Sequence, residues 1–441
     1  MLERGPDPGN GPTKAGQSAK MKIANQRVVF VLIFAFYGPA TRGMPLPLHA
    51  ALPHLPAERG ERLAYLPGLP GTTDHQRAEG NANPESFEEL AERARAAMDA
   101  DRVPEAIQLY RRATTVQPKW SEGWWHLGTL FFDARRFAEA RDAFAHFVTV
   151  ERRQPGPGFG MLGLSEFQLK HYVKALRALE RGRELGLGTD QAFNTAVLFH
   201  DGVLNALLGK PEVALQRLTL AANQIAAAHS EAPKDAVFAD LKLLDAFGIA
   251  GLGIRKLPPS LTAAQVPLVR QAGRAQALIA LQDRVAAETE FKQLLALYPS
   301  APGVHYMYGV FLLKEHPPLA IDEFRREIEI SPSHYAARIQ LALEFLRTAE
   351  YGQGLKYARE AVALAPGNFA AHVACGRLWL AVGKNDRALD ELRTAVKLAP
   401  GSPDAHFAFS QALSEAGRNH EAAHERAEFE RLKALVDAAD R

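Results

Sequence analysis

The sequence predicts an all-α chain of about nine to ten tandem helix-turn-helix copies, and three observations carry that expectation. From Phe87 onward, short amphipathic stretches rich in Ala, Leu, Glu and Arg follow one another, and almost nothing reads as a strand. Small residues recur in pairs twelve apart: Ala94 and Ala106, Gly128 and Ala140, Gly163 and Ala175, Gly202 and Ala214, Ala275 and Ala287, Ala342 and Gly354, Gly376 and Ala388, Ser410 and Ala422, with Gly309 and Ala320 one residue short. Pro118, Pro299, Pro332, Pro366 and Pro400 stand twelve residues after a second small residue, where a second helix must stop because proline cannot continue it.

Each element of the copy has a physical reason. A small side chain at both paired positions lets two antiparallel helices approach closely, and large apolar residues fill the space around them. In the copy starting at Ser121 these are Trp124, Leu127, Phe131 and Phe144. Successive second members lie 34, 35, 39, 73, 33, 34, 34 and 34 residues apart, the long interval being two periods with one copy blurred. Residues 229–267, with the break Pro258-Pro259, read as a degenerate pair or hinge between an N-terminal set (85–228) and a C-terminal set (268–402). The last copy and a charged capping helix fill 403–441.

This register resembles the tetratricopeptide repeat (TPR) family, whose pattern is W-x2-L-G-x2-Y, then A-x3-F, then P. Trp124, Leu127, Gly128, Phe131, Ala140 and Phe144 carry it most fully, while the copy from Phe369 has His372 at the aromatic position. The resemblance covers about residues 87–436 except 229–267. It implies a right-handed superhelical solenoid, no catalysis, no cofactor, and a protein or peptide partner held on a concave face of first helices.

On that alignment the candidate groove residues are Trp125, Thr129 and Phe132 in the second copy and Tyr306 and Leu313 in the copy after Pro299. Leu343 and Arg347, Val373 and Arg377, then Phe407 and Gln411 follow in the last three. For Trp125 and Tyr306, packing against the neighbouring repeat is the competing reading, since aromatics serve cores and peptide hot spots alike. The Lys and Asn set with which chaperone-binding family members clamp a C-terminal carboxylate is absent.

The N-terminus carries a different message. Lys20, Lys22 and Arg27 precede the apolar run 28–37, VVFVLIFAFY, and Gly38 and Ala40 follow it. Basic flank, ten-residue apolar core and small residues resemble a secretory signal peptide over 21–40, with Leu48-His49-Ala50 as a second cleavage site. The run is shorter than the roughly 20 residues a membrane span needs. Met21 opens a more natural leader, so residues 1–20 read as a gene-model extension. Residues 41–84, rich in Pro and Gly, read as a linker. The expectation is an exported, periplasmic or extracellular protein of a bacterial cell envelope, without a membrane span once the signal is removed.

Composition narrows the chemistry. Across 441 residues, 52 Lys and Arg against 50 Asp and Glu leave a formal charge of +2, too weak a field to hold a nucleic-acid backbone. The single cysteine, Cys375, excludes a disulfide framework and any multi-cysteine metal site. His420, Glu421 and His424 match the HExxH pattern of zinc hydrolases, which is the alternative function. Ala422 inside that match belongs to the repeat register, no third ligand follows, and both histidines fall on the outer side of a second helix, so a solvated face is expected instead. Gly156, Gly158, Gly160 and Gly163, and Gly248, Gly251 and Gly253, imitate phosphate loops but lack a preceding strand and the Walker lysine. They are expected to serve turns and packing. His305, His372 and His406 each open a first helix, where surface or groove polar contacts are expected.

Overall fold

The computed structural model describes residues 85–257 and 260–439, and the chain divides into two units, Met1–Val197 and Leu198–Arg441. The leader, the linker and the Pro258-Pro259 break lie outside the described residues. Among the described residues there are twenty α-helices and no strand. None of these helices is long and apolar enough to cross a membrane.

In the first unit, α1 (Phe87–Asp99) and α2 (Val103–Val116), α3 (Ser121–Asp133) and α4 (Phe137–Val150), and α5 (Gly156–Gln168) and α6 (Tyr172–Glu184) form three packed hairpins. Ser86 opens α1 with a capping box: its hydroxyl accepts the Glu89 amide at 3.2 Å, and the Glu89 carboxylate accepts the Ser86 amide at 2.9 Å. The register places Ala94, Ala106, Ala140 and Ala175 in the interior. A Cβ added to Gly128 would stand 2.6 Å from the Phe144 ring, and one added to Gly163 would stand 2.6 Å from Leu179. The small residues are therefore where α3 meets α4 and α5 meets α6. Helix α7 (Gln191–Leu207) contributes residues to both units.

The second unit continues with α8 (Pro211–Ala228), the short α9 (Pro233–Ala239) and α10 (Leu241–Gly251). Then come α11 (Gln265–Ala280) and α12 (Arg284–Leu297), α13 (Val304–Leu312) and α14 (Pro317–Ile330), and α15 (Tyr335–Arg347) and α16 (Tyr351–Leu364). Last are α17 (Phe369–Ala381) and α18 (Asn385–Leu398), and α19 (Pro403–Glu415) and α20 (Asn419–Ala439). Consecutive helices pack as hairpins, and the first helices α15, α17 and α19 also touch one another. Within residues 229–267 the chain makes α9 and α10, both packed on α8, and α10 also lies against α11. That last contact is unusually close: a Cβ on Gly248 would come 1.9 Å from the Val269 carbonyl oxygen, and one on Gly273 1.9 Å from that of Leu244.

The hairpin turns repeat one closure. After α1, α3, α5, α11 and α15 a single residue takes the left-handed conformation: Asp101 (φ 58°), Arg135 (59°), Lys170 (62°), Gln282 (59°) and Ala349 (60°). Gly209, Gly383 and Gly417 do the same after α7, α17 and α19. The next amide bonds back to a carbonyl five residues earlier, as Arg102 does to Ala97 at 2.8 Å and Arg136 to Phe131 at 2.8 Å, which satisfies helix-end carbonyls in the Schellman pattern. The α13–α14 turn has no left-handed residue, and His316 bonds instead to Leu312 at 2.8 Å. This is the structural form of the residue missing between Gly309 and Ala320.

Three expected groove residues are interior ones. Trp125, Thr129 and Phe132 are 3 %, 5 % and 1 % exposed. The Trp125 indole packs on Phe144 and Phe147, with ring centroids 5.7 and 5.3 Å away, and Phe132 meets Phe137 edge-on at 5.3 Å. Two phenylalanines on α4 and the close approach at Gly128 draw this face of α3 inward. Trp125 packs on the second helix of its own hairpin, where the competing reading expects the neighbouring repeat.

Candidate functional site

The open groove positions converge in the second unit. Leu343 on α15, Phe369, Ala370, Val373 and Arg377 on α17, and Asp404, Phe407 and Ala408 on α19 line a depression of about 390 Å³. The helices place these groups by simple periodicity: Val373 and Arg377 are one turn apart on α17, and Phe407 and Gln411 one turn apart on α19. Opposite them, the small residues Gly376 and Ala412 hold the same helices against Leu392 and the α19–α20 core. Each first helix is thus fixed on one side and open on the other.

Phe407 is 41 % exposed, a large aromatic surface left to solvent, with its ring 5.0 Å from Phe429. Arg377 is exposed, and among the described residues no carboxylate lies within ion-pair distance of it. Arg347, by contrast, is tied to Glu344 at 2.9 Å. Gln411 and Leu313 are half-buried. Tyr306 is half-buried too, its ring 5.9 Å from Phe324 and 4.7 Å from His334, and burial pushes its phenol well above the ordinary tyrosine value. The structure therefore gathers Leu343, Val373, Arg377 and Phe407 into one surface, leaves Arg347, Leu313 and Gln411 beside it in sequence register, and makes Tyr306 largely a packing residue.

The zinc-like match does not assemble a centre. His420, Glu421 and His424 are all exposed on α20, and the Arg418 guanidinium, 2.7 Å away, holds the Glu421 carboxyl below the usual carboxylate range. Among the described residues no group of three or more His, Cys, Asp or Glu side chains is placed to hold a metal ion. The glycine clusters are packing devices: Gly158 faces Phe147, Gly160 faces Phe193, and Gly253 takes a left-handed φ of 65° after α10.

The histidines that open first helices differ from expectation. His305, His372 and His406 are buried, and each bridges a glutamate and a backbone carbonyl. The sequence held a signal for this that a search for site motifs passes over: a Glu three residues after the second small residue, at Glu323, Glu391 and Glu425.

Residues 92–156, 273–335 and 339–403 match the tetratricopeptide repeat family profile. No curated protein matches the chain. Among solved structures, MamA 41-end from Desulfovibrio magneticus RS-1 is 18% identical, with a TM-score of 0.35, over 38% of this chain and 97% of that one. A crystal structure of MamA is 16% identical, with a TM-score of 0.33, over 37% of this chain and 96% of that one. The small-residue register, the buried hairpin seams and the three matched segments establish that this chain carries tetratricopeptide repeats.

Proposed function

We propose that the chain is a non-catalytic scaffold of the bacterial cell envelope that binds an apolar peptide segment of another protein across α15, α17 and α19, without cofactor, metal or nucleic acid. The observation that carries the reading is the depression in which exposed Phe407 and Arg377 flank the apolar side chains of Leu343 and Val373. An aromatic anchor and a guanidinium beside apolar surface are the groups that dominate peptide interfaces. Export rests on the signal-like residues 21–40, and cell fractionation tests it separately: a purely cytoplasmic protein removes the envelope from the proposal.

Binding has a direct test. Replacing Phe407 and Arg377 together by Ala leaves the helical circular dichroism unchanged, because Arg377 is exposed and Phe407, 41 % exposed, lies outside the helix seams. It weakens capture of a partner by about 30-fold, the equivalent of roughly 2 kcal/mol for an interface hot spot. Unchanged affinity in the double variant would move the binding surface elsewhere.

A further inference from the structure

Trp124, His305, His372 and His406 occupy one place in the repeat, six residues after the proline that ends the preceding hairpin. In the first unit the Trp124 indole N–H donates to the Pro118 carbonyl at 2.9 Å. In the second unit histidine takes over that bond: Nε2 lies 2.9 Å from the Pro299 carbonyl for His305, 3.0 Å from Pro366 for His372, and 3.0 Å from Pro400 for His406. A carbonyl oxygen only accepts, so each Nε2 carries hydrogen.

The second ring nitrogen decides the chemistry. Nδ1 of His305 is 2.5 Å from Glu323, that of His372 is 2.6 Å from Glu391, and that of His406 is 2.6 Å from Glu425. A neutral ring already donating through Nε2 would turn a lone pair on Nδ1 toward a carboxylate anion inside the protein. The ring that fits is the imidazolium, which donates from both nitrogens. We propose that the His305–Glu323 pair is a proton-operated latch, holding one proton between α13, α14 and the loop that carries Pro299, so that this hairpin loosens as pH rises.

The charges around His305 are of both signs, and the glutamate bonded to its ring dominates. Around His305, the other Glu323 oxygen accepts from Arg326 at 3.1 Å. Buried Glu327, bonded to the Gly303 and Tyr306 amides and 3.9 Å from His334, adds negative charge. The Glu323 hydrogen bond raises His305 above the ordinary histidine value.

A raised histidine stabilises the fold fully below its unfolded value of about 6.5 and loses that contribution as pH climbs through the folded value. The window for His305 therefore opens above about 6.5 and extends toward alkaline pH. The chain carries its own control, because Gln271 stands sixteen residues before Ala287, as His372 and His406 do before Ala388 and Ala422. Its amide faces Glu290 at 3.3 Å and cannot titrate in this range.

Hydrogen exchange of the full-length chain, corrected for intrinsic rates between pH 6 and 9, should show protection in α13 and α14 falling by up to about tenfold per pH unit as the proton is released. Protection of α11 and α12 should stay level. The variant His305→Gln should flatten the fall, and an equal fall in that variant, or none in the unmodified chain, overturns the proposal. Should the variant not fold, nitrogen NMR of the unmodified protein decides. Both ring nitrogens of His305 are protonated at pH 7 if the latch exists, and a neutral ring there overturns it.

Discussion

Gly248→Ala and Gly273→Ala each part α10 from α11 and destabilise the second unit by about 3 kcal/mol or more. Overpacking ordinarily costs about 1 to 3 kcal/mol because a side chain can yield. Here the added methyl meets a helix carbonyl 1.9 Å away at both positions, and a backbone carbonyl moves only if its helix moves. The gain in helix propensity on replacing glycine, about 1 kcal/mol, offsets part of the effect. Gly251 is the control. Its nearest neighbour would be the end of the Met307 side chain, 2.7 Å away, and a flexible thioether can give way. Urea denaturation should therefore show a large drop in midpoint for Gly248→Ala and a small one for Gly251→Ala. Equal midpoints would mean that the crossing does not limit stability.

The second large effect is expected at Phe144. Its ring is fully buried, fills the space that Gly128 leaves open and supports Trp125, so Phe144→Ala should lower stability of the first unit by about 3 to 5 kcal/mol. Gly128→Ala should also destabilise, by pressing on that ring. Combined with Phe144→Leu it should lose less than the two single changes predict, because neighbouring sites that share one space are not additive. Thermal unfolding of the four proteins checks the cycle, and strict additivity would show that Gly128 and Phe144 do not share a contact.

How far the sequence reveals this molecule depends on what each residue answers to. The register was legible because a helix crossing tolerates only small side chains, so Ala140, Gly163, Ala287 and Gly376 leave a periodic trace whatever surrounds them. Even the short copy between Gly309 and Ala320 could be seen, and it appears as a turn without a left-handed residue. Exposure was less legible. Position five of a copy faces outward at Phe407 and inward at Trp125, since the outcome depends on Phe144 and Phe147 of the facing helix rather than on the position. The buried histidines read from sequence as surface or groove groups for the same reason: their carboxylate partners lie 18 or 19 residues away on the second helix. A polar residue reads as exposed until its partner is known. The α10–α11 crossing was hidden in another way, because Gly248 and Gly273 bracket a segment whose periodicity is broken.

The five non-glycine residues that close hairpins in the left-handed conformation have a consequence for engineering. A side chain there carries a steric penalty of about 1 to 2 kcal/mol that glycine escapes, while glycine gives back about 0.5 to 1 kcal/mol through its freer unfolded chain. Arg135→Gly, Lys170→Gly, Gln282→Gly and Ala349→Gly should each raise the melting temperature slightly, and because each turn belongs to its own hairpin the increments should accumulate. The native chain closes other hairpins with Gly209, Gly383 and Gly417. Its turns are thus a row of independent adjustment points, and thermal tolerance can be raised hairpin by hairpin without touching the depression across α15, α17 and α19.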